Sequence, residues 1–202
     1  DYEKITAYLR SVSVDQRVVL DKTVVNQAIV GSIPENVTVF DEINPTVLWK
    51  AVKNPIEIQN EREAHIRDGV AVTRFIYWLK ESVDKLPLTE LRAAEKLEEF
   101  RRQTKGYLGP SFDPIAGYGP HGAIVHYSAD EKSDAALLPE NFLLLDTGGQ
   151  YLQGTTDVTR TVFLGEKATQ EQKKYYTAVL RGNLNLCGAK FREGCSGVAL
   201  DY

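Results

Sequence analysis

The stretch LLLDTGGQYLQGTTDVTRT (Leu143–Thr161) limits the fold of this chain more than any other. It sets two aspartates, Asp146 and Asp157, eleven positions apart, with three glycines and several Thr and Gln residues between them. A helix through this span would hold the two carboxylates roughly 16 Å apart, too far to share an ion. Gly148-Gly149 disfavours a helix in any case. The alternative is an antiparallel ribbon turning near Leu152-Gln153-Gly154. Neighbouring strands lie about 4.8 Å apart, so two side chains on such a ribbon come within bridging distance. The glycines permit a bulge that re-aims one of them. Asp146 also closes the apolar run FLLL, and a carboxylate buried there without a partner is costly. A divalent cation between the pair resolves their repulsion. A hydrogen-bonded turn Asp beside a solvated Asp is the other solution, and spacing alone leaves both open. An EF-hand loop is excluded, because the segment lacks alternating oxygen ligands and a closing Glu.

Around the ribbon the period of the sequence changes. A long helix is expected from Ile56 to about Glu81, with Ala64, Val70 or Ala71, Phe75, Ile76 and Leu79 on one stripe. A second follows, with Thr89 as N-cap, Leu91, Ala94, Leu97 and Phe100 as its buried face, and Gly106 as its stop. From Gly109 to Gly165 the segments AIVHY, FLLLD and DVTRTVFLG are rich in β-branched and aromatic residues and predict sheet. A last helix starts at Thr169, where Gln172 completes a capping box, with Val179, Leu180 and Leu184 as its core face. The first 43 residues read as short alternating elements: an amphipathic YEKITAYLRS, strands at RVVLD and NVTVF, and a short helix ending near Gly31. Those strands are too few for an independent sheet. Pro45 and Pro55 bracket a short helical stretch. The boundary near Asn54 gives two regions: residues 1–54, the end of an α/β domain with its linker, and residues 55–202.

The chain has 202 residues, 43% of them apolar, enough for one sizeable core or two small ones. Its net charge of −4 is spread over mixed acids and bases and gives no clustered basic face for nucleic acid. No apolar run approaches the ~20 residues that span a bilayer, and the start shows no signal-peptide pattern. Cys187 and Cys195 form no CxxC pair and read as free thiols, which favours a cytoplasmic location. The sequence contains no Met and stops at GVALDY inside an amphipathic segment, so a longer parent is expected.

Of the three histidines, His126 in GAIVHYSAD is expected on a strand, projecting opposite to Val125 and Tyr127. An isolated histidine is ordinarily a hydrogen-bonded structural residue. His121, after Gly-Pro, reads as a solvated loop residue, and His65 as part of a charged helix face.

Two segments together, GPHGAIVHYSAD and LLLDTGGQYLQGTTDVTRTVFLG, resemble the Xaa-Pro aminopeptidases of the pita-bread metallopeptidases. NPIEIQNEREAHIRDGVAVTRFIYWL is similar to the helix that opens their catalytic domain. The resemblance covers nearly the whole chain and is greatest to the three-domain form. It implies an α/β (α+β) fold: the first half of a pita-bread domain, preceded by the tail of a creatinase-like α/β middle domain. It also implies a dinuclear site holding two divalent ions, expected to be Mn²⁺. Asp146 matches the first ligand, Asp157 the ligand that bridges both ions, and His126 a substrate-contacting histidine. The family's remaining His and two Glu ligands are expected beyond Tyr202, so this chain alone is expected to be inactive.

The implied activity is metal-assisted hydrolysis of an N-terminal Xaa-Pro bond in peptides with proline second. No nucleic acid or membrane partner is implied, and the parent is expected to be a homodimer. Two alternatives are a prolidase acting on Xaa-Pro dipeptides and a non-catalytic pita-bread binding or dimerisation module. The creatinase-like segment disfavours a methionine aminopeptidase.

Overall fold

A computed structural model describes residues 1–200 and divides the chain into two compact units, one from Asp1 to Ile58 and one from Gln59 onward. The first unit opens with a 3-10 turn at Tyr2–Lys4 and α1 (Ile5–Arg10). Next come β1 (Arg17–Leu20), α2 (Gln27–Val30) and β2 (Thr38–Asp41). The two strands pair in parallel, with Leu20 opposite Asp41, and α2 makes the crossover that a parallel pair requires. Leu9, Leu20 and Val37 supply its small core. The side chain of Asn44 caps α3 (Pro45–Ala51), whose first residue is proline.

The long α4 (Pro55–Ser82) begins just before the division and runs into the second unit. It is followed by α5 (Glu90–Arg102), β3 (Tyr107–Pro110) and β4 (Ile115–Tyr118). A 3-10 turn at Gly119–Ala123 leads to β5 (Phe142–Thr147), β6 (Gly149–Tyr151), β7 (Val158–Phe163) and α6 (Gln170–Gly188). An antiparallel sheet in the order β4-β5-β7 forms one layer, and β3 pairs separately with β6. α4 and α5 cover one face of the three-stranded sheet. Their Phe75, Leu79, Ala93 and Leu97 pack with Ala116, Leu143, Leu145 and Val162 of the strands.

Several expectations hold and others need correction. α4 and the caps at Thr89 and Thr169 are as expected, and both hydrogen bonds of the Thr169–Gln172 capping box form. In α4, Ala71 rather than Val70 is buried, and Asp68 joins the stripe. In α5, Leu91, Ala94 and Phe100 are only partly buried. The innermost positions are Glu90, Ala93, Leu97 and Arg101, because two charged residues there find buried partners. The AIVHY segment is not a strand. Gly119, at φ 53, and Pro120 start the 3-10 turn, and Ile124 and Val125 point to solvent. On α6, Val179, Leu180 and Leu184 are exposed rather than part of the core.

This burial pattern sets an expected contrast. Leu143→Ala removes a fully buried side chain from the core and should lower stability by about 2–5 kcal/mol. Leu184→Ala, on the open face of α6, should change it by less than about 0.5 kcal/mol. Chemical unfolding of the two variants checks the difference.

Candidate metal-binding ribbon

Asp146 and Asp157 lie at one end of the β5–β7 pair. The ladder runs from Phe142 opposite Phe163 to Asp146 opposite Thr159 and Thr147 opposite Val158. Asp157 directly precedes β7, two positions before Thr159. Strand alternation therefore assigns Asp157 to the same face as Thr159 and its partner Asp146. Thr147 and Thr156, next to the aspartates in sequence, are buried on the opposite face. Asp146 is half-buried and accepts a hydrogen bond from Thr159 Oγ1 at 2.8 Å, while Asp157 is exposed.

Between them the chain leaves the ladder. Its β6 segment crosses to β3 and turns back at Tyr151–Gly154, where each of these two residues donates its N–H to the other's carbonyl, at 2.8 and 3.3 Å. Gly148 sits where the two arms press together. A Cβ there would lie 2.0 Å from the Thr156 carbonyl oxygen and 2.1 Å from Ser111 Oγ, so only glycine fits.

A buried polar network backs the ribbon. Arg101 forms a two-pronged ion pair with Asp68, Nε to Oδ1 at 2.7 Å and Nη2 to Oδ2 at 3.2 Å. Tyr151 Oη and Thr156 Oγ1 also donate to Asp68, each at 2.9 Å, and Arg101 Nη2 donates to Thr147 Oγ1 at 3.1 Å. Burial, reinforced by the bond to Asp68, holds the Tyr151 hydroxyl far above the usual tyrosine range. Burial and a hydrogen bond to Glu98 do the same for Tyr107.

His126 stands apart from this network. It occupies the third position of a turn closed by the Tyr127 N–H donating to the Ile124 carbonyl at 3.3 Å, and its φ is 54. Histidine tolerates that left-handed conformation better than most residues. Its side chain is exposed, and among the described residues it bonds to neither aspartate.

The loop carrying it is anchored by Glu90, which is fully buried. Glu90 accepts from the Tyr118 N–H at 2.6 Å, Tyr127 Oη at 2.8 Å and the Ala135 N–H at 3.1 Å. His121, read from sequence as a solvated loop residue, is instead partly buried and places Nδ1 2.9 Å from Glu90 Oε1. Its ring also lies against Tyr127, with centroids 4.6 Å apart. Sequence reasoning missed Asp68, Arg101 and Glu90. The available signal was charge at helical core spacing: Asp68 falls four residues after Ala64, and Arg101 four after Leu97.

The ribbon carries two hard oxygen donors, Asp146 and Asp157, of the kind that suits Mn²⁺ or Mg²⁺. The chain belongs to metallopeptidase family M24, whose family model matches residues 59–202. It is 41% identical over 186 residues to Aminopeptidase P1 of Lotus japonicus, covering 81% of this chain and 28% of that protein. It is 44% identical over 166 residues to Xaa-Pro aminopeptidase 1 of Dictyostelium discoideum, covering 80% and 26%. The chain thus spans about a quarter of these relatives' length. The X-prolyl aminopeptidase of Caenorhabditis elegans, described as a cytosolic enzyme with a di-nuclear active site, superposes with a TM-score of 0.83 at 33% identity. That match covers 98% of this chain and 33% of the other. Prolidase from Pyrococcus furiosus, at 20% identity and a TM-score of 0.72 over 100% of this chain and 56% of its own, shares the fold. No helix among the described residues is long and apolar enough to cross a membrane.

Two outcomes follow from this geometry. Glu90→Ala leaves the Tyr118 N–H and the Tyr127 hydroxyl without their buried acceptor and should cost on the order of 2–4 kcal/mol, measured by denaturant unfolding. The raised tyrosines set an alkaline limit. An unfolded tyrosine releases its proton near pH ~10, whereas folded Tyr107 and Tyr151 keep theirs to higher pH. Their contribution is therefore complete below about pH 10 and declines as pH rises toward the folded-state values. Melting temperatures should hold steady from about pH 8 to 9.5 and drop by about pH 11, with a smaller drop in Tyr107→Phe/Tyr151→Phe.

Proposed function

We propose that this chain carries part of the active site of a metal-dependent Xaa-Pro aminopeptidase, which cleaves the first residue from peptides with proline second. The observation that supports this reading is the register of β5 on β7, in which Asp146 pairs with Thr159, two residues after Asp157. The relatives named as Xaa-Pro aminopeptidases support the substrate class.

The donor chemistry fits a divalent pair in kind. Asp146 and Asp157 would hold it, and Thr159 would orient Asp146 through the bond to its Oδ1. Among the described residues no group of three or more His, Cys, Asp or Glu is disposed to hold a metal ion. By resemblance, the further donors would be a histidine and two glutamates. When bound, the ions supply an activated water and polarise the substrate carbonyl; manganese is the proposed metal.

His126 is the proposed substrate contact. An exposed imidazole at the tip of an anchored loop can donate a hydrogen bond to the carbonyl oxygen as negative charge develops there. The bond cleaved has proline nitrogen on its leaving side. That nitrogen carries no N–H, so recognition depends on a pocket for the ring. A cytoplasmic homodimer is the proposed setting.

The full-length enzyme, supplied with Mn²⁺ and a peptide with proline second, tests the reading. Asp157→Asn should lose metal and reduce kcat/KM by more than about 100-fold, beyond the range typical of residues that only support ligands. His126→Ala should keep its metal content while kcat falls about 100-fold. Metal loss in His126→Ala would make that histidine a ligand instead. Cleavage confined to Xaa-Pro dipeptides would favour a prolidase, and a metal-free inactive protein would favour a binding module.

A further inference from the structure

Asp68 and Arg101 are charged and almost wholly buried, yet neither belongs to the ligand set proposed above. We propose that they are positioning residues for the metal-binding ribbon. Through Thr147 and Thr156 they fix the two strand ends from which Asp146 and Asp157 project. The inference rests on the reading of those aspartates as metal ligands.

The network reaches both arms of the ribbon and touches each next to an aspartate. Arg101 Nη2 donates to the hydroxyl of Thr147, the residue after Asp146, at 3.1 Å. Asp68 Oδ2 accepts from the hydroxyl of Thr156, the residue before Asp157, at 2.9 Å. Strand pairing of β5 with β7 ends at Thr147 opposite Val158. Beyond that point Thr156 ties the arms together. Its hydroxyl accepts from the Gly149 N–H at 2.9 Å, and its own N–H donates to the Gly149 carbonyl at 2.9 Å. The spacing of the two carboxylates is thus set from behind by an ion pair between α4 and α5. Alternation turns each inward threonine into a lever for the outward aspartate beside it. Ligand geometry tolerates only about 0.5 Å of error, so slack in the threonines transmits to the ions.

A core-only role predicts lost stability with unchanged metal affinity, and this separates the two accounts. Binding of Mn²⁺ alone to the full-length protein, read by electron paramagnetic resonance of the free ion, should weaken about 10–100-fold in Thr156→Val and in Asp68→Asn. Thr156→Ser, which keeps the hydroxyl, should bind within about threefold of wild type, a difference too small for a lost positioning contact. Leu97→Ala weakens the α5 core without touching the network and should also stay within about threefold. Affinity within threefold of wild type in Thr156→Val and Asp68→Asn, with lowered melting temperatures, overturns the proposal. If Asp68→Asn does not fold, the Thr156→Val and Thr156→Ser pair, which leaves the ion pair intact, decides alone. Absence of Mn²⁺ binding in the wild type, or undiminished binding in Asp146→Asn, sinks the metal reading itself and this inference with it.

Discussion

Taking the charges of Asp68 and Arg101 out of water costs several kcal/mol per ion, and their mutual attraction alone does not guarantee a return. The fold offsets this cost by surrounding the pair with polar partners. The guanidinium grips both carboxylate oxygens, and Tyr151 and Thr156 donate to the same carboxylate. A spare N–H of Arg101 goes to Thr147. The pair joins α4 to α5 and joins both to the ribbon, so helix packing and ribbon position are not separable. A low-dielectric interior strengthens such a network when it is complete and penalises it when any member is missing. The arrangement is consequently all or none, unlike the apolar contacts of Leu97 or Phe75, which tolerate partial loss.

Glu90 repeats the device at the other end of α5. Its carboxylate collects backbone N–H groups from β4 and from the segment before β5, together with the Tyr127 hydroxyl. The segment from Gly119 to Asn141 has no strand of its own to hold it. Backbone bonds between Leu137 and Leu88 and between Glu90 and Ala135 hold its later part, and the Glu90 carboxylate adds ties on both flanks of His126. α5 thus has a buried acid in its first turn and a buried base in its last, each holding a different segment, with Ala93 and Leu97 packed between them.

Most helices and the central strands were legible in the sequence, because their signals are local. A long apolar stripe, a Thr cap with Gln three residues on, and a run such as FLLLD each state their structure within a few residues. The ribbon was legible for the same reason, since glycines and β-branched residues leave few ways to join Asp146 to Asp157. AIVHY misled because its strand propensity is real but Gly119-Pro120 sets a 3-10 turn just before it, and no neighbouring strand completes a ladder there. α6 shows the converse limit: spacing declares an apolar face on Val179, Leu180 and Leu184 but not what covers it. The buried charges were illegible because a pattern scored for hydrophobicity counts Asp68, Glu90 and Arg101 as surface. Their partners lie 28 to 88 residues away in sequence.

The identity of the two inward residues completes the logic of the ribbon. A position beside Asp146 or Asp157 needs a side chain that suits extended backbone, fills the interior and offers a polar atom inward. Valine meets the first two needs, and serine the last. Threonine meets all three, because its β-branched Cβ is at home in a strand and its hydroxyl can both donate and accept. At Thr156 both capacities are used, donating to Asp68 and accepting from Gly149. The hydroxyl stands in for the ladder bond lost where the strands part. An aspartate at Thr156 would bring a further negative charge against Asp68, and an asparagine there would add an amide needing partners of its own. The charges on the inner face are balanced within the Asp68–Arg101 pair, so the two carboxylates of the outer face add no unpaired charge to the interior.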